Sequence, residues 1–70
     1  MNPGDLFKVK AIDKATDVFI AVHNVGWKHY GCEKYLFVLL ERTETKLTVL
    51  ISDGQKGDMY VPEDRILLIC

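Results

Sequence analysis

The chain has 70 residues, a formal net charge of −1 from nine basic and ten acidic residues, and two cysteines. That length makes one domain and no more, and the charge balance gives no reason to expect tight, non-specific DNA binding. Two cysteines are too few for a disulfide scaffold. The polar start MNPGDLFKVK lacks the apolar stretch of a signal peptide, and no apolar run approaches the roughly 18 residues that suggest a membrane span. The expectation is a soluble cytoplasmic protein with reduced thiols, a complete small reading frame, no membrane partner and no cofactor.

In chain order, Asn2-Pro3-Gly4-Asp5 reads as a turn. From Leu6 to Ile12, Phe7, Val9 and Ala11 alternate with Lys8 and Lys10, the pattern of a half-buried strand. A polar connection, DKATD, leads to Val18–Val22, which is β-branched and aromatic. Ala15, Val18, Phe19 and Val22 also fit helical spacing, so both states stay open there. Asn24 to Lys34 reads as a loop broken by Gly26 and Gly31. The solid apolar run Tyr35–Arg42 fits either state, and with Leu47–Ser52 it suggests a hairpin. Asp53-Gly54 is the strongest turn dipeptide. A short strand over Asp58–Val61, a helical turn at Pro62–Asp64 and a closing strand over Ile66–Ile69 complete the chain.

Five or six short strands with almost no helix predict an all-β fold, a small barrel or a strongly bent sheet. The tail Met59-Tyr60-Val61-Pro62-Glu63-Asp64-Arg65-Ile66-Leu67 resembles the end of an SH3-like barrel. There a strand closes in a Tyr-Val-Pro run and a one-turn helix leads into the last strand. The resemblance is to a superfold rather than to a family. The chain has no Ala-Leu-Tyr-Asp-Tyr run, DKATD is shorter than the acidic loop of a signalling SH3 domain, and no Trp pair is present. A proline-peptide groove is therefore not implied, and a shared superfold does not assign a function.

A small barrel strand should alternate between a dry face and a wet face. Tyr35–Leu40 and Ile66–Ile69 are apolar on both. Such a surplus marks an interface, and oligomers also help chains too short to bury a large core. The expectation is a homodimer, with Tyr35, Phe37, Leu39, Leu67 and Ile69 at the contact.

The stretch VHNVGWKHYGC, Val22–Cys32, concentrates the chemistry. His23, His29 and Cys32 are metal-ligand types, with Cys70 a distant fourth, but H-x5-H-x2-C lacks the paired ligands of zinc modules. Cys32 beside either His is a weak nucleophile–base signal, and no phosphate-binding or Gly-x-Ser-x-Gly motif is present. The reading is therefore non-enzymatic. Trp27 and Tyr30, flanked by Lys28, His29 and Lys34, suit a protein-binding loop, since Trp and Tyr anchor interfaces. The alternative is a small nucleic-acid-binding barrel. There Trp27 and Tyr30 would stack bases, nearby Lys would hold phosphates, and Lys8 and Lys10 would extend the surface.

Overall fold

The computed structural model describes residues 1–69. Its strands are β1 (Leu6–Val9), β2 (Asp17–Val22), β3 (Gly26–Gly31), β4 (Phe37–Arg42), β5 (Leu47–Ile51), β6 (Lys56–Met59) and β7 (Ile66–Ile69). All pairings are antiparallel, and one sheet runs in the order β3-β2-β6-β5-β4-β1-β7, curled into a half-barrel. One 3-10 turn, Glu63–Arg65, precedes β7. The fold is all-β, as composition and patterning predict. Cys70 lies outside the described residues.

Alternation builds the core. β5 buries Leu47, Val49 and Ile51 and leaves Thr48 and Leu50 at the outer face. β2 does the same with Val18, Ile20 and Val22, which excludes the helix that its spacing also allowed. The concave side is filled by these residues with Phe7, Phe37, Leu39 and Met59, and the rings of Phe7 and Phe37 stand 5.6 Å apart.

The strand map differs from the sequence expectation in three places. The described residues form seven strands, because the broken loop at Asn24–Lys34 contains β3, paired with β2 along its whole length. Its two glycines bound the strand rather than break it. The turn before it works because Asn24 and Gly26 both take left-handed backbone, at φ 66° and 111°. The first connection, residues 10–16, leads to β2, and the whole β2–β3 hairpin lies in the chain between β1 and its sheet neighbour β4. Second, β1 stops at Val9, before a tight turn with Asp13 at φ 49° and an Ile12–Ala15 bridge. Third, β6 begins at Lys56 and releases Tyr60 from the sheet.

The apolar run in β4 has a mixed explanation. Phe37 and Leu39 are wholly buried, which corrects their placement in a dimer contact: they are core residues. Tyr35 is half-buried, with its ring edge-on to Tyr30 at 4.8 Å. The register slips between Leu39 and Glu41, so Leu40 is the extra residue of a β-bulge and points out. The genuine second apolar face is a row across the convex side. Ile69, Leu6, Val38 and Leu50 lie opposite one another on β7, β1, β4 and β5.

Curling requires β6 to cross close over β2. A Cβ at Gly57 would meet Ile20 Cγ2 at 2.5 Å and the Ala21 carbonyl oxygen at 3.0 Å. Backbone and a fully buried side chain fill that space, so it has little room to relax. Gly57→Ala should lose about 1–3 kcal/mol of stability, read as a lowered urea midpoint with an unchanged slope. Gly31→Ala, where a Cβ would meet only the Lys34 side chain at an ordinary 3.7 Å, serves as the comparison.

Candidate aromatic interaction face

β2 and β3 form a hairpin whose two faces have different chemistry. The register sets Phe19 opposite His29 and Ala21 opposite Trp27 on the convex face. Val18 lies opposite Tyr30 and Ile20 opposite Lys28 on the concave face. Strand alternation therefore divides the clustered residues. Trp27 is 63% exposed, and His29 is also exposed, stacked on Phe19 with ring centroids 4.0 Å apart. Lys28 lies half-buried at the concave rim, its Nζ 5.7 Å from the Tyr30 ring centre. Lys34 is exposed in the turn after β3.

Tyr30 is buried and serves the fold rather than a contact surface, which corrects its assignment as a partner-binding residue. Its hydroxyl donates to Asp53 Oδ2 at 3.0 Å, and Asp53 Oδ1 accepts from the Gln55 N–H at 3.0 Å. One carboxylate thus ties β3 to the β5–β6 turn. Burial, then the bond to Asp53, pushes the Tyr30 phenol up to about 12.

Two aromatic residues of the convex face come from outside the predicted stretch. Phe19 is 55% exposed and Tyr60 is 54% exposed, and the Tyr60 ring lies 6.1 Å from that of Trp27. Between them is an open cleft of about 340 Å³ lined by Asp17, Phe19, Trp27, Tyr60, Val61 and Arg65. Phe19 was legible as the outward residue of an alternating strand. Tyr60 was not, because its proximity to Trp27 depends on β2 pairing with β6.

The charged groups of this cleft are already engaged. Arg65 Nε donates to the Lys10 carbonyl at 3.0 Å. Its Nη2 donates to the Ala15 carbonyl at 3.2 Å and approaches Cys32 Sγ at 3.6 Å. Asp17 faces His29 Nδ1 at 4.0 Å. The guanidinium thus stitches the connection after β1 to the 3-10 turn.

His23, His29 and Cys32 have separate surroundings. The Cys32 thiol is fully buried beneath Arg65, and burial raises its pKa although the guanidinium opposes the shift. His23 Nε2 pairs with Asp58 at 3.4 Å. Asp58 also accepts from Thr48 Oγ1 at 2.7 Å and lies 3.9 Å from Lys46 Nζ. The Thr48 bond, with His23 and Lys46, holds its carboxyl below the usual value. Comparison with protein families, with curated proteins and with solved structures finds no match for this chain.

Tyr30 and Asp58 set opposite limits on stability. The raised Tyr30 pKa contributes stability that is complete below the ordinary value of 10.0 and is lost as pH rises toward about 12. The lowered Asp58 pKa contributes stability that is present above the ordinary 3.8 and is lost as pH falls through its depressed value. Thermal midpoints across pH should fall at both ends. Tyr30→Phe should lose about 1 kcal/mol near neutrality and remove the latest step from the ultraviolet titration of the tyrosines.

Proposed function

We propose that the protein is a non-catalytic interaction module that binds a protein segment on the convex face of Phe19, Trp27 and Tyr60. The observation that carries this reading is the exposure of three large aromatic side chains around one cleft. Rigid aromatic rings supply much contact area at low entropic cost and recur as interface anchors. The one-turn helix between Tyr60-Val61-Pro62 and β7 supports reading the barrel as SH3-like. Binding by aromatic anchors does not depend on that resemblance.

Nucleic acid is the weaker reading. A single-strand platform needs bases stacked on rings and phosphates held by nearby cations. Alternation moves Lys28 and Tyr30 off the Trp27 face, Arg65 is committed to backbone carbonyls, and Asp17 lines the cleft. An extended peptide with apolar side chains matches these features better.

Trp27 is the single tryptophan of the chain, so its emission reports on this face. Displayed peptides are selected on the chain, and the best is titrated while Trp27 emission is read. The expected result is a blue shift with an affinity nearly indifferent to salt. Tyr60→Ala should weaken binding by about 30-fold, the scale of a 2 kcal/mol anchor, without changing the fold. If no peptide is selected, or oligo-dT shifts the emission with steep salt dependence, the reading fails.

A further inference from the structure

The two edges of the sheet are unlike. β3, at one end, carries Lys28 and His29 and ends in glycines, and charged side chains blunt an edge against pairing. β7, at the other end, is Ile-Leu-Leu-Ile with no charge, proline or bulge. The Lys10 N–H bonds to the Arg65 carbonyl, which fixes the phase of the β1–β7 ladder. In antiparallel pairing these bonds fall on alternate residues. Leu67 and Ile69 therefore bond toward β1, while Ile66 and Leu68 turn their backbone groups to the open edge. The Ile66 N–H is already given to the Glu63 carbonyl. Among the described residues of β7, Leu68 alone has both backbone groups unclaimed.

The Leu68 side chain is also out of place. It lies opposite Phe7, which is wholly buried on the concave face, yet Leu68 is 55% exposed because the sheet ends there. It borders a hollow of about 190 Å³ with Met1, Glu63 and Ile66.

We propose that β7 pairs antiparallel with β7 of a second copy about a two-fold axis at Leu68, joining the two sheets into one. The two Leu68 residues exchange N–H···O=C bonds across the axis, and their side chains meet on the concave face. This register sets Leu67 of each copy opposite Ile69 of the other on the convex face, so every side-chain pair among the described residues is apolar. Both residues are exposed in the single chain. The self-matching is what selects a second copy over a foreign strand, since a two-fold contact must complement itself. It also extends the convex row of Leu6, Val38 and Leu50. The pairing uses none of the residues that line the Trp27 cleft.

The test is solution mass by sedimentation equilibrium across a dilution series, at low and high salt. The wild-type chain should show twice its 8.0 kDa, insensitive to salt and falling on dilution. Leu68→Lys places two like charges at the axis and should raise the dissociation constant on the order of a hundredfold. Leu68→Pro removes only the outward N–H, a change an edge strand tolerates, and should also give monomer with an unchanged circular dichroism spectrum. Trp27→Ala should remain dimeric. A wild-type mass of 8.0 kDa at every concentration overturns the proposal. So does a wild-type dimer that persists in folded Leu68→Lys, which would place the contact elsewhere.

Discussion

The close passage of β6 over Ile20 at Gly57 is the constraint on which the rest of the structure depends. A chain of 70 residues cannot cover both faces of a flat sheet. It must curl the sheet so that one face becomes an interior. The curl brings the β2–β3 hairpin against β6, and only a residue without a Cβ permits that approach. From it follow the burial of Ile20 and Met59 opposite each other and the delivery of Tyr60 beside Trp27. The aromatic face is thus a consequence of sheet curvature as much as of residue choice.

Strand alternation then sorts the chemistry. Within Trp27–Tyr30, successive side chains go to opposite faces, so one short segment supplies both a core residue and an exposed anchor. Tyr30 locks the hairpin to the β5–β6 turn through Asp53, holding the strand that presents Trp27. Along the same convex face, in the cross-strand row of Trp27 and Ala21, His23 and Thr48 meet at Asp58 in a polar network. Arg65 anchors the 3-10 turn to the connection after β1 at the expense of its freedom to meet a ligand.

Much of this was legible from residue types and spacing. Alternation in β1 and β5, the β-branched and aromatic content of β2, the Asp53-Gly54 turn and the Pro62 turn all point to a small all-β fold, because such local patterns need no knowledge of partners. Such patterns set Leu47, Val49 and Ile51 of β5 on one face, whereas the segment of β2 fitted strand and helix alike. They also marked Trp27 as an exposed aromatic and Ile66–Ile69 as a strand with too much apolar surface.

Tertiary structure decided the rest. Gly26 and Gly31 punctuate a strand rather than break a loop, and only pairing with β2 distinguishes the two. In the solid run of β4, no local pattern says which side is dry. Packing put Phe37 and Leu39 in the core, and a bulge set Leu40 outside. Tyr60 and Trp27 are far apart along the chain and adjacent in space, as are Tyr30 and Asp53. The physical reason is common to all: period and composition report what a residue prefers. Which of several apolar faces is buried depends on strands brought together from distant parts of the chain.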